Sequence, residues 1–162
     1  MLPFSSNSRL GRGLLLAAVV ASASAFAVPA LAGECPADQR KANAREAVDL
    51  KPVGVTDTVI ASIDVSKAPF NVDGRNFRMR KLTIEPGGVV PWHSHGDRPA
   101  IIYIIEGEIH EYASNCAVAI VQKAGDVVAE TPEVSHWWKN LGDKTVVLIS
   151  ADLLHDPNDH NM

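Results

Sequence analysis

Short runs of β-branched and aromatic residues, each closed by turn-forming residues, constrain the fold of this chain more than any other sequence feature. Eight such runs follow one another between residues 58 and 151. Turn-forming sequences separate them, such as the Pro-Gly-Gly at residues 86–88. Regularly spaced short strands with turn signals between them are typical of an all-β sandwich or barrel. The pattern therefore predicts one all-β domain over residues 55–151.

Two of these runs predict different environments. Residues 77–84 (FRMRKLTI) alternate between apolar and basic or polar side chains. This alternation predicts a strand whose apolar side chains point inward and whose basic side chains lie in water. Residues 101–105 (IIYII) do not alternate. We therefore expect this second strand to be buried on both faces.

The first 32 residues have the three parts of a secretory signal peptide. Arg9 and Arg12 precede an alanine-rich apolar run over residues 14–28, and the small residues Ala30 and Ala32 follow. The apolar run has about 15 residues, fewer than the roughly 20 that a membrane-spanning helix needs. We expect cleavage after Ala32 and export to the periplasm or the medium, with no membrane attachment of the mature chain. A lipid-modified cysteine is the less favoured alternative.

The 130 residues that follow Ala32 are enough for one domain with a single core. Residues 33–54 predict an N-terminal arm, and residues 152–162 lack periodicity and predict a flexible tail. The two cysteines are Cys35, in the arm, and Cys116, in the domain. An oxidising compartment favours a disulfide between them, and two thiols too far apart to bridge are the alternative.

The charge balance excludes one class of partner. The whole chain has 15 basic and 19 acidic side chains. Loss of Arg9 and Arg12 with the signal peptide leaves 13 basic side chains and a net charge of −6. No cluster of basic residues remains to neutralise phosphates, so we expect no nucleic-acid partner.

Three histidines carry the candidate chemistry. His93 and His95 are two residues apart, so on a β-strand their imidazoles point to the same face. His136 follows a Gly-Asp turn and a Thr-Pro bend, from which an antiparallel strand would return it to the same place. Imidazole is a suitable ligand for Fe, Mn, Ni, Cu and Zn. The sequence therefore predicts one metal site formed by these three side chains.

The stretches around these histidines resemble the two motifs of the cupin superfamily. The first motif is a glycine, five residues, His-x-His, three or four residues, a glutamate, six residues and a glycine. The second, about 30 residues later, is a glycine, five residues, a proline, one residue, a glycine, two residues, a histidine, three residues and an asparagine. In the first motif, the position that is usually glutamate falls on Ala100. In the second, the proline is one position late and Val134 stands near the usual glycine. The matching residues are Gly87, His93, His95 and Gly107 in the first motif, and Gly125, Pro132, His136 and Asn140 in the second.

This resemblance implies a fold, a ligand set and a reaction. It implies a jelly-roll β-barrel that holds one divalent metal through His93, His95 and His136. A site with three histidines and no glutamate resembles the cupin subset that includes non-haem iron dioxygenases. The expected metal is therefore Fe(II), with Mn, Ni, Cu or Zn as alternatives, and the expected partner is a small-molecule substrate. Exposed barrel edges, which cupins commonly cover by pairing their sheets, predict a homodimer.

Other interpretations remain open at this point. A non-enzymatic cupin that binds or senses a metal or small ligand does not need the missing carboxylate, whose loss at Ala100 also suits a metal-free site. A metal-dependent isomerase or lyase needs acid and base groups, for which Tyr103, His110 and Asp97 are the candidates. Asp97 also offers a replacement ligand and Arg98 a clamp for a substrate carboxylate, although a solvated turn is the simpler interpretation of this pair.

Overall fold

A computed structural model describes residues 33–48, 50–70, 72 and 74–155. The predicted signal peptide, residues 1–32, and the tail from residue 156 onward lie outside these ranges. Within them, no helix has the length and apolar character needed to cross a membrane.

Eight antiparallel strands form a single curled sheet, which confirms the predicted all-β, jelly-roll fold. The order of strands across the sheet is β5-β4-β7-β2-β8-β3-β6, and β1 pairs with the other edge of β2. Two short 3₁₀ helices, Ala37–Gln39 and Val65–Lys67, complete the described secondary structure. The strands are β1 (Val53–Asp64), β2 (Asn76–Ser94), β3 (Ala100–Glu106), β4 (Glu108–Ala113), β5 (Ile120–Lys123), β6 (Val127–Glu130), β7 (Ser135–Lys139) and β8 (Val146–Leu154).

The long strand β2 changes partner along its length, which curls the sheet. Its first part, residues 76–84, pairs with β8, and its last part, residues 89–94, pairs with β7. The change occurs at Gly87, whose φ of 76° favours glycine. Asn140 holds this bend, because its side-chain amide donates to the carbonyls of Ile84, at 3.0 Å, and Glu85, at 3.1 Å. The motif asparagine therefore stabilises the turn that sends β2 toward β7.

The core lies on the inner face of the curled sheet. Inward side chains alternate along each strand, as they do at positions 146, 148 and 150 of β8. Ten apolar side chains form one cluster there: Leu82, Ile84, Val90, Ile102, Ile104, Ile109, Val128, Trp138, Val146 and Leu148.

The expected orientation of residues 77–84 is wrong in its first half. Arg78 and Arg80 point inward and are buried, whereas Phe77 and Met79 are exposed on the outer face. The reason is a buried carboxylate on β8, Asp152, that pairs with both arginines. A sequence pattern read one strand at a time does not contain this cross-strand partner.

Asp152 is the centre of a buried group of three arginines. Its carboxylate accepts hydrogen bonds from Arg78 at 2.7 and 3.0 Å and from Arg98 at 3.0 Å, and Arg80 lies 3.4 Å away. Burial opposes ionisation of Asp152, but the arginines outweigh it and lower the pKa of the carboxyl group. This residue belongs to β8, which continues to Leu154 and thus into the segment where the sequence predicted a tail.

The expectation that residues 101–105 are buried on both faces is also wrong. Ile102 and Ile104 are buried inside, but Ile101, Tyr103 and Ile105 are about half exposed on the outer face of β3. The cause is that β3 lies between β8 and β6 in a single sheet, and no second layer of described residues covers its outer side.

The N-terminal arm is attached to the barrel by the predicted disulfide, which is confirmed. Cys35 and Cys116 are bonded, with their Cα atoms 5.8 Å apart. Backbone hydrogen bonds from Lys41 to Asn115, at 3.0 Å, and from Ala44 to Ser114, at 2.8 Å, continue the attachment. The arm therefore lies along the turn between β4 and β5.

Candidate metal centre

Four buried side chains from three parts of the sheet converge at one point inside the barrel. His93 lies near the end of β2 and His95 directly after it. His136, on β7, is the cross-strand partner of His93. Glu130 ends β6 and reaches the same point. The structure thus brings together the three predicted histidines and adds a carboxylate.

The distances between the four ligand atoms fit a single metal ion. His136 Nε2 lies 3.2 Å from the Nε2 atoms of both His93 and His95. The Glu130 oxygens lie 2.7 Å from His95 Nε2 and 3.2 Å from His136 Nε2. Two ligands about 2.1 Å from one metal are separated by roughly 3.0–3.4 Å at octahedral or tetrahedral angles. All four atoms lie within 4.8 Å of one another, so one ion between them is geometrically feasible.

Hydrogen bonds on the far side of each imidazole fix which nitrogen carries the proton. The Nδ1 atoms of His93 and His95 face the backbone carbonyls of Pro91, at 2.8 Å, and Arg98, at 3.0 Å. A carbonyl only accepts, so each Nδ1 donates and each Nε2 keeps its lone pair.

His136 is held in the same tautomer by a carboxylate. Its Nδ1 lies 2.7 Å from Glu111 Oε1, and Gln122 donates to the other Glu111 oxygen at 2.8 Å. The indole nitrogen of Trp138 also lies 3.3 Å from His136 Nδ1, but the shorter contact to a charged group is the stronger one. When His136 is neutral, three Nε2 lone pairs point at one another, an arrangement that a metal ion or a proton on His136 Nε2 relieves.

The protonation of the site suits a cation. Burial, reinforced by His136, lowers the pKa of His93 to about 3, so this imidazole is neutral at physiological pH. Burial also opposes ionisation of Glu130, but His136 and His95 outweigh it and lower the pKa of that carboxyl group. For His136, burial is outweighed by the carboxylates of Glu130 and Glu111, which raise its pKa and favour the imidazolium, so a metal ion would displace the proton from its Nε2. The ligand set thus offers a carboxylate that is ionised at neutral pH.

Glu130 occupies the place of the glutamate that the first motif lacks. Ala100, on β3, and Glu130, on β6, are directly opposed cross-strand partners, so their side chains point to the same face of the sheet. Sequence reasoning missed Glu130 because its position depends on strand register. The available signal was a glutamate two residues after the inward-facing Val128, on the apolar face of a short strand.

The other candidate residues lie elsewhere. The Asp97 side chain is 64% exposed and faces His155, at 3.1 Å, and Arg75. Tyr103 is half exposed on the outer face of β3, and His110 lies on the opposite face of β4 from the buried Glu111. The structure brings none of the three to the ligand set.

Arg98 is buried rather than solvated. Its backbone carbonyl binds His95 Nδ1, and its guanidinium binds Asp152. It therefore joins the ligand set to the buried arginine group. Its side chain is not among those that line the inner cavity.

Two cavities adjoin the ligand set. The inner cavity has a volume of about 20 Å³, room for one or two water molecules, and is lined by His93, His95 and Glu130 together with Arg80, Ser150 and apolar side chains. The outer cavity, of about 540 Å³, is lined by Glu111, Glu130 and His136 and by arm residues that include Cys35 and Arg40. The disulfide-bonded arm thus forms one wall of the outer cavity.

Comparison with known proteins indicates the family. A family model described as a cupin domain matches residues 80–152, which contain both histidine motifs. The auxin-binding protein ABP19b of Prunus persica is 27% identical over 79 residues, which are 47% of this chain and 38% of that protein. The matched segment therefore spans less than half of the plant protein.

Several solved structures have a similar fold. The Cnp3 cupin domain of Schizosaccharomyces pombe is 14% identical, with a TM-score of 0.49 over 65% of this chain and 69% of that one. An oxalate oxidase in complex with glycolate is 22% identical, with a TM-score of 0.49 over 65% and 53%. A predicted oxalate decarboxylase of Thermotoga maritima is 21% identical, with a TM-score of 0.49 over 64% and 90%. At these identities the likeness is one of fold and indicates no substrate.

The position of Glu130 leads to a test of its role. We expect Glu130→Ala to weaken binding of Mn²⁺ at least about tenfold, because a charged ligand is lost. The double variant Ala100→Glu/Glu130→Ala should regain most of the affinity, because the two positions are directly opposed. Isothermal titration calorimetry measures both effects, with Asp97→Asn as the control carboxylate. Unchanged affinity in Glu130→Ala would show that the histidines hold the metal without it.

Proposed function

Because the chain belongs to the cupin superfamily, we propose that it binds one divalent transition metal and uses it to act on a small molecule. The proposed ligands are His93, His95 and His136, with Glu130 as the fourth. The observation that carries this proposal is the convergence of three imidazole Nε2 lone pairs at 3.2 Å beside a buried carboxylate. Such an arrangement is unfavourable in an apolar barrel without a cation.

The reaction that we propose is a dioxygenase reaction with Fe(II) as the metal. The resemblance to iron dioxygenases concerns a site without glutamate, whereas Glu130 makes the set three histidines and one carboxylate. These four residues would hold the ion, and iron would supply the redox chemistry toward O₂ and a substrate. Among the described residues of the inner cavity, Arg80 and Ser150 are the polar groups outside the ligand set. A reaction that depends on a separate protein acid and base, as in an isomerase or lyase, fits this lining less well.

The protein's own residues orient the ligands and surround them with apolar groups. Pro91, Arg98 and Glu111 each hold one imidazole by its Nδ1 atom. Leu82 and Trp138, among other apolar side chains, line the inner cavity. A low-dielectric surrounding strengthens the interactions between the ligands and a bound ion.

A binding or sensing role without turnover is the second candidate. The observation that favours it is the same shortage of acid and base groups at the cavity wall. Both functions need the same metal site, so metal binding is tested first and turnover second.

Metal content tests the proposal directly. We expect the mature protein, purified without an affinity tag, to contain about one equivalent of a transition metal by plasma mass spectrometry. His93→Ala and His136→Ala should each lose it, because each removes a ligand, whereas His110→Ala should keep it. Iron in the parent, followed by substrate-dependent oxygen consumption, would support the dioxygenase; a metal-loaded protein without turnover in such screens would favour the binding role. Failure of the parent to retain any metal after anaerobic loading would overturn the proposal.

We also propose that the protein is exported. Residues 1–32 have the pattern of a signal peptide, and a disulfide persists in an oxidising compartment. Intact-mass measurement on protein from its native host should give a mature chain that begins at Gly33. Recovery of the full chain with residues 1–32 from the cytoplasm would contradict export.

We propose, further, a homodimer through the outer face of the sheet. Apolar side chains on neighbouring strands form a continuous patch there, because the register places Ala151 between Ile101 and Met79, and Tyr103 between Val127 and Ile149. Val127 is 59% exposed and Ile101 57%, with Tyr103 about half exposed, while Ala151 and Ile149 are half-buried between them. An exposed apolar patch that extends across several strands marks an interaction surface, and a second copy of the chain covers it symmetrically.

Light scattering after size exclusion tests the dimer. The parent should have about twice the monomer mass at micromolar concentration. Ile101→Lys should shift the protein toward the monomer, because it places a charge in the centre of the patch. Leu141→Lys changes an exposed leucine outside the patch and is the control. A monomeric parent would contradict the proposal.

A further inference from the structure

Arg80 is a buried cation that the proposed metal site does not use. Its side chain is 5% exposed, and it lines the inner cavity together with His93, His95 and Glu130. Ser150, from β8, adds a hydroxyl group to the same wall. Cations are rarely buried in a barrel core unless they are paired, so each N–H group of Arg80 is expected to have an acceptor.

The pairing of Arg80 is incomplete. One terminal nitrogen lies 2.5 Å from Asp57, and the other lies 3.3 Å from Ser150 Oγ and 3.4 Å from Asp152. Its Nε atom is buried and has no hydrogen-bond partner among the described residues. A buried N–H group without an acceptor is unfavourable, so Arg80 has capacity for one more acceptor.

The charge of Arg80 also favours an anion. Its guanidinium pairs with Asp57 and shares Asp152 with Arg78 and Arg98. Burial lowers the pKa of Arg80, while Asp57 and Asp152 oppose that shift, and a guanidinium remains protonated in proteins.

We propose that Arg80, with Ser150, binds a carboxylate or an equally small anionic group of the ligand in the inner cavity. The unpaired Nε–H gives a carboxylate one charge-assisted donor, and the Ser150 hydroxyl on the same wall offers a second. The cavity volume of about 20 Å³ suits a compact group and not a ring. This inference rests on the proposed function, because the other end of the bound molecule would reach a metal ion held by His93, His95 and Glu130. The substrate class is therefore a small carboxylic acid.

Binding of sodium formate, with neutral formamide as the matched probe, tests this inference. We use the visible absorption of Co²⁺-loaded protein and, separately, the melting temperature of metal-free protein. Formate should change both and formamide neither. Arg80→Lys should weaken formate binding about tenfold or more, because it keeps the charge but removes the Nε–H donor. Ser150→Ala should weaken it by a smaller factor.

Arg78→Lys is the matched control. Arg78 belongs to the same buried group and binds Asp152, but it is not part of the cavity wall. This variant should bind formate as the parent does. Circular dichroism establishes that each variant is folded, and if Arg80→Lys is not, the comparison of formate with formamide on the parent and the Ser150→Ala result decide.

The outcomes separate this inference from the proposed function. Arg80-dependent binding of formate to a protein that fails to retain metal would support the anion site and overturn the metal site. Metal binding without an effect of formate, or with equal effects of formate and formamide, would overturn the anion site and leave the metal site standing. Equal formate binding by the parent and folded Arg80→Lys would also overturn it.

Discussion

The change of partner along β2 is the constraint on which the rest of the structure depends. Its first part pairs with β8 and its last part with β7, and Asn140 fixes the bend between them. Without this bend, His93 would not face His136 across the β2–β7 ladder. The same strand also carries Arg80 into the core at its other end. One strand with two partners therefore positions both the ligand set and the buried arginines.

The ligand set of three histidines and Glu130 is connected through Arg98 to the buried arginine group around Asp152. Its backbone carbonyl orients His95, while its guanidinium binds Asp152. The turn that contains it follows β2 directly, so the orientation of one imidazole depends on the arginine group that Asp152 neutralises. Buried polar networks are stable only when their members are satisfied. A change at Arg98 or Asp152 is therefore expected to reach His95.

The sequence predicted what is local and missed what depends on strand register. Strand spacing, the shared face of His93 and His95, and the disulfide partners follow from spacing and composition alone. Glu130 was missed because its place opposite Ala100 is set by the pairing of β3 with β6. Arg80 was expected in water because alternation indicates two faces of a strand without indicating which is inside. Its partner Asp152 lies 72 positions along the chain and was assigned to a flexible tail.

The balance of buried charge ties the two sites to one kind of ligand. A divalent ion on the ligand set would be offset by one ionised ligand, Glu130, with a second carboxylate, Glu111, on His136. These two carboxylates together match the charge of a divalent ion, so the group left to satisfy at the inner cavity is Arg80, whose buried Nε–H has no acceptor among the described residues. A low dielectric makes an unsatisfied donor on a cation costly. An anionic ligand group would accept from this N–H and face its charge, whereas a cationic ligand would be repelled.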